Sequence, residues 1–177
     1  MSDTDPLAII SPDTLMTHLV DFVDAPLYNY YPVTADSFPE FLRNVSQVMM
    51  QRALGYEGLT RHLLAWGPFG TSFKARMTLV IDLPQCDTND DDTLHHLEAL
   101  RCHEDRHVQI NVDIFRRTME RLQQDLPLPY RECDARMTQM HREQEEAHAR
   151  FDQETDYGRA LNNHCPIIVI SQQYPTF

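Results

Sequence analysis

Leu94-His95-His96-Leu97-Glu98-Ala99-Leu100-Arg101-Cys102-His103-Glu104-Asp105-Arg106-His107 opens a helical pattern that runs to about Gln124. His96, Leu100, His103, His107, Ile110 and Ile114 fall on one stripe of a helical period. Within it, residues 103–107 read H-E-x-x-H. Positions i and i+4 share a helix face, so the two imidazoles can converge on one metal ion. Glu104 lies one residue along, placed to handle a proton of a water at that metal. The pentad therefore predicts a zinc-dependent hydrolase acting on peptide bonds, given a third ligand from elsewhere in the chain.

The third ligand is sought across the next turn. Leu126-Pro127-Leu128-Pro129 ends the helix, and a second helix is predicted from about Arg131 to Thr155, stopping before Gly158 as a C′ glycine. An antiparallel hairpin of these helices sets residues 103–107 opposite roughly residues 147–152. His141, Glu145, His148, Asp152 and Thr155 form a polar stripe there, with Met137, Met140, Ala147 and Phe151 as the packing seam. On geometry His148 leads as third ligand, with Asp152 and Glu145 behind it. Tyr157 or Arg106 would face the oxyanion of a peptide substrate.

Ahead of the pentad the period changes from helical to alternating. Phe73, Ala75, Met77, Leu79 and Ile81 alternate with Lys74, Arg76, Thr78 and Asp82, which predicts a strand from Phe73 to Leu83 with one buried face. A second strand, Leu59 to Trp66, precedes it across Gly67-Pro68-Phe69-Gly70, suggesting a hairpin. The strand 73–83 is also the expected edge for an extended substrate peptide. Leu27–Val33 is aromatic and β-prone, and Asp36 or Ser37 caps a helix to about residue 51. Ser11-Pro12-Asp13 reads as a helix start before Leu15, Leu19, Phe22 and Val23, and Pro166–Ile170 reads as a last strand. Asp87–Thr93 lacks the glycine and distal glutamate of an EF-hand loop, so it reads as an acidic linker. The layout is α+β: a small antiparallel sheet backed by helices, with a long helical hairpin carrying the pentad. Residues 1–26 read as an N-terminal helical or extended segment, and 27–177 as a single metal-binding domain.

Composition narrows the partners. The chain has 177 residues, 42% of them hydrophobic, which suits one domain with a real core. Its formal charge of -12 argues against nucleic acid, which needs clustered basic residues. Met1-Ser2-Asp3-Thr4-Asp5-Pro6 lacks a secretory leader's basic and apolar regions, and no apolar run is long enough to span a bilayer. The expectation is a cytoplasmic protein with no membrane insertion. Cys86, Cys102, Cys133 and Cys165 contain no C-x-x-C pair, and their irregular spacing favours four buried thiols.

Several blocks occur together in a known order. Tyr30-Tyr31-Pro32-Val33, the Gly58–Trp66 strand, Leu79-Val80-Ile81-Asp82-Leu83-Pro84, the pentad, and Phe151-Asp152-Gln153-Glu154-Thr155-Asp156-Tyr157-Gly158 span about residues 28–160. In this order they resemble a bacterial domain-of-unknown-function family described as predicted secreted zinc-dependent proteases. The resemblance implies a zincin-like fold, bound zinc, proteolysis and secretion. It also gives Asp152 more weight, as a ligand or as the partner of a zinc-bound histidine. Where that family's last block has a histidine before its glycine, this chain has Tyr157. The third ligand is then the tyrosine, a neighbour such as His148 or Asp152, or missing. The alternative to a peptidase is a non-catalytic, metal-containing binding protein.

Overall fold

The computed structural model describes residues 10–52 and 58–156. In chain order the elements are β1 (Leu15–Met16), β2 (His18–Val23), β3 (Leu27–Pro32), α1 (Phe38–Arg52), β4 (Leu59–Phe69), β5 (Ser72–Gln85), α2 (Asp91–Asp125), β6 (Leu128–Pro129) and α3 (Tyr130–Glu154). The long strand β5 organises the sheet, pairing with β2, β3 and β4. Its alternation is as the sequence predicts: Phe73, Ala75, Met77, Leu79 and Ile81 are buried between exposed or half-buried neighbours, and Leu83 is buried beside a buried Pro84.

The chain forms two units. Of the described residues, the first gathers 10–26, 62–79 and 110–147. In it β2 runs parallel to the start of β5, from His18 opposite Ser72 to Val23 opposite Met77. β1 pairs antiparallel with β6. The helices are tied by Gln144 Nε2 donating to the Asn111 carbonyl at 3.2 Å and by an Arg117–Glu143 ion pair at 2.9 Å.

Of the described residues, the second unit comprises 27–52, 58–61, 80–109 and 148–156. Here β3 runs parallel to the end of β5, from Leu27 opposite Val80 to Pro32 opposite Gln85. Tyr31, Val33, Ala35, Phe41, Val45 and Cys86 make its core, with Phe38, Val48, Met49 and Leu97 packed against it. Ser37 starts α1, its carbonyl taking the Phe41 amide at 2.9 Å, while Glu40 turns back to the Asp36 amide at 3.0 Å. The N-cap of α2 is Asp90, whose carboxylate accepts from the Thr93 amide at 3.0 Å and the Thr93 hydroxyl at 2.6 Å. This cap sets the helix start three residues ahead of the expected Leu94.

The α+β class holds, with several local differences. The expected N-terminal helix is absent: Leu15–Met16 and His18–Val23 are strands. Leu15, Leu19 and Phe22 do have helical spacing, but so short a helix gains little from its own hydrogen bonds. Pairing with β5 instead sets all six β2 residues in register with that strand and gives alternate ones backbone hydrogen bonds to it. The sheet is mixed, since β2 and β3 are parallel to β5 and only the β4–β5 hairpin supplies the antiparallel pairing expected of the whole sheet. The hairpin turns at Gly70-Thr71, after β4 has run through Gly67-Pro68. Gly70 has φ +61°, the left-handed conformation that a two-residue loop requires. With three partners, β5 is not the substrate edge that the sequence suggests. α3 ends at Glu154, with Asp156 left-handed at φ 46°, ahead of the expected glycine stop. Gly158 and the strand expected at 166–170 lie outside the described residues.

Phe41 is fully buried in the core of the second unit. Phe41→Ala is expected to lower unfolding free energy by about 3–5 kcal/mol, measured by denaturant titration.

Candidate metal centre

The predicted stripe on α2 and the lower half of the stripe on α3 meet inside the second unit. His103, Glu104 and His107 are 5%, 4% and 8% exposed, so the pentad is an interior feature and not a solvated face. His107 Nε2 lies 3.0 Å from His103 Nε2 and 3.0 Å from Asp152 Oδ1. His103 Nε2 is 3.1 Å from the same carboxylate oxygen. Three ligand-type atoms thus form a nearly equilateral triangle.

Hydrogen bonds alone do not account for this triangle. Each ring nitrogen carries at most one proton, and a proton can lie along only one edge. If both nitrogens donate to Asp152, their N–H groups face each other at 3.0 Å. Ion pairing does not account for it either. Burial holds His103 below the usual histidine range, outweighing the attraction of Asp152. His107 is held down to about 3 by burial and by neighbouring His103. Two neutral imidazoles and a carboxylate at these separations suit a shared metal ion, whose ligands lie roughly 3.3 Å apart in tetrahedral geometry. His103, His107 and Asp152 could hold a metal ion.

Neighbouring side chains fix these groups. Phe151 stacks on His103 at 4.9 Å between ring centres and meets His107 edge-on at 5.1 Å. His148 stands behind His107, their Nδ1 atoms 2.6 Å apart. The structure therefore places Asp152 in the triangle and His148 at the far nitrogen of His107, where it can set that ring's tautomer. The Cys102 preceding His103 is disulfide-bonded, whereas Cys86 and Cys133 are free. That corrects the reading of four buried thiols.

Glu104 sits in a pocket that the sequence did not announce. The Thr60 hydroxyl lies 2.7 Å from Glu104 Oε2 and 3.2 Å from the Glu104 carbonyl. Gly58 closes the other side: a β-carbon there would lie 2.8 Å from Glu104 Oε1 and 2.9 Å from both Glu104 Cγ and Leu100 Cδ1. Burial pushes the carboxyl up to about 7, with a smaller push from Asp152 and Asp105, while Thr60 pulls it down. At the adjacent position of α2, Asp105 accepts from the Tyr28 hydroxyl at 2.6 Å, anchoring the helix to β3. The usable signal for Gly58 was its place just before a strand, where glycine often marks close approach. Thr60 left none.

A family model, bacterial protein of unknown function (DUF922), matches residues 28–158. The chain belongs to this family. The match covers every member of the triangle, as well as Glu104, Thr60 and His148. No curated protein matches this DUF922 chain, and no solved structure does. Of the other expected site residues, Arg106 is exposed, and Glu145 lies beside His141 in the first unit. Tyr157 lies outside the described residues.

Asp152→Ala and His107→Ala are each expected to abolish tight binding of a divalent ion. His148→Ala should weaken it about 10–100-fold, as for other residues behind a ligand, measured by chelator competition. Because burial keeps His107 neutral to about 3, its protonation should cost little metal affinity between about pH 7 and pH 5. An exposed histidine pair would lose affinity steeply over that interval.

Proposed function

We propose that this DUF922 protein is a zinc-dependent metallopeptidase. The observation that carries the reading is the His103–His107–Asp152 triangle with a buried Glu104, held near neutrality, on the same turn of α2. Two imidazoles and one carboxylate are borderline ligands that suit zinc. Three protein ligands are the number found in catalytic zinc sites, whereas structural sites are closed by four. Zinc held there would supply Lewis acidity toward water and a carbonyl group.

Glu104 has the properties of the proton carrier. A general base works best with a pKa near the working pH, and burial brings this carboxyl to about 7. In the proposed cycle it accepts a proton from the attacking water and returns it to the leaving amine. Thr60 orients one carboxylate oxygen, and the lack of a side chain at Gly58 leaves room for the other. Phe151 and His148 hold the imidazoles in place. The pentad alone is met in many chains. Its burial beside Asp152 favours the enzyme over a non-catalytic binding role.

The disulfide at Cys102 supports an oxidising compartment, in keeping with the secretion implied by the family resemblance and not with a cytoplasmic location. Among the described residues no helix is long and apolar enough to cross a membrane.

Zinc content and hydrolysis of a broad peptide library test the proposal together. His103→Ala is expected to lose both metal and activity. Glu104→Gln should keep the zinc and lower the rate by about 10²–10⁴-fold. An unchanged rate in Glu104→Gln would refute this mechanism, and a zinc-replete wild type inactive on every peptide would favour the binding role. Gly58→Ala, which crowds Glu104 without touching a ligand, is expected to lower kcat while leaving zinc content intact.

A further inference from the structure

The lower half of the α3 stripe enters the metal centre; the upper half does not. His141 and Glu145 belong to the first unit, where they meet His62 of β4. Along β4, Thr60, His62, Leu64 and Trp66 are half-buried while Arg61, Leu63 and Ala65 are exposed, so His62 lies on the inward face. Its Nε2 is 3.2 Å from His141 Nδ1, with the ring planes at 73° and their centres 5.2 Å apart. Glu145 Oε1 lies 3.6 Å from the other nitrogen of His141.

These contacts suit a protonation pattern that leaves the two facing nitrogens open to a cation. A carboxylate at His141 Nε2 favours the proton on that nitrogen, which leaves Nδ1 bare and aimed at His62. Histidines that bind metals commonly turn their second nitrogen to a carboxylate in this way. Burial, with His141 adding to it, holds His62 below the usual histidine range, although Glu145 opposes the shift. With the His62 proton on Nδ1, both rings present lone pairs at a separation close to the roughly 3.3 Å between ligands on one tetrahedral ion. The side chains of His141 and Glu145 are 44% and 63% exposed, so solvent can bring an ion and complete its coordination.

We infer that His62 and His141 form a second cation site, for a divalent ion of nitrogen preference such as zinc, with Glu145 orienting His141. The site has two protein ligands and is weaker than the three-ligand centre. It lies wholly within the first unit and does not depend on the catalytic reading.

Equilibrium dialysis of the full chain against Zn²⁺, with bound metal counted, tests the inference. The wild type is expected to take up two equivalents, the second more weakly. His62→Gln and His141→Gln should each keep the tight equivalent and lose the weak one. Glu145→Gln, at an exposed position, should fold normally and weaken the second equivalent about 10–100-fold. The double variant His103→Ala/His107→Ala should retain only the weak equivalent, and lose it on addition of His141→Gln.

A second equivalent that survives both His62→Gln and His141→Gln is an adventitious ion elsewhere and overturns the inference. So does a wild type that saturates at one equivalent which His103→Ala/His107→Ala removes; the histidine pair then only shares a proton. A single equivalent lost in His62→Gln but kept in His103→Ala/His107→Ala would support this site and overturn the zinc centre instead.

Discussion

Two imidazole nitrogens and a carboxylate oxygen, mutually 3.0–3.1 Å apart and mostly buried, impose the constraint around which the second unit is organised. Without a shared cation, such a cluster loses hydration and leaves one of its three contacts unfavourable. The surrounding structure holds it together from several directions. α2 supplies the two histidines at i and i+4, and Phe151 occupies the position before Asp152 and packs on both rings. His148, one turn earlier on α3, braces His107 from behind. Tyr28 of β3 fixes Asp105 on the same turn of α2.

Glu104 is governed by a second balance. A carboxylate in water ionises near 4, and desolvation is the largest influence moving this one to about 7. Thr60 opposes that shift, and Gly58 permits the close contact that causes it. The segment Gly58–Thr60 thus acts on the proposed proton carrier while its own contacts are with Glu104 and Leu100. Within the first unit, His62 of β4 meets His141 at 3.2 Å.

Much of this was legible where the pattern was long and local. The alternation from Phe73 to Leu83 gave β5 its buried face, and thirty residues of helical period gave α2. The segment Leu15–Val23 was misread because a short apolar spacing fits either period, and its partner lies more than fifty residues away on β5. The triangle that could hold a metal was half legible. Spacing alone pairs His103 with His107, but His148 and Asp152 lie about one turn apart on the same face of α3. Only the packing of the helices, with Phe151 between the rings, sets Asp152 in front and His148 behind. Thr60 reaches Glu104 across forty-four residues, a non-local contact with no trace in either segment.

The central claim is that His103, His107 and Asp152 hold one zinc ion, and X-ray absorption at the zinc edge tests it most directly. The measurement is made on full-length protein loaded with one equivalent of zinc. The account predicts two imidazole nitrogens and oxygen ligands at about 2.0–2.1 Å, with no sulfur, and loss of part of the oxygen shell in Asp152→Ala. A spectrum with sulfur ligands, or one unchanged in Asp152→Ala, would contradict it.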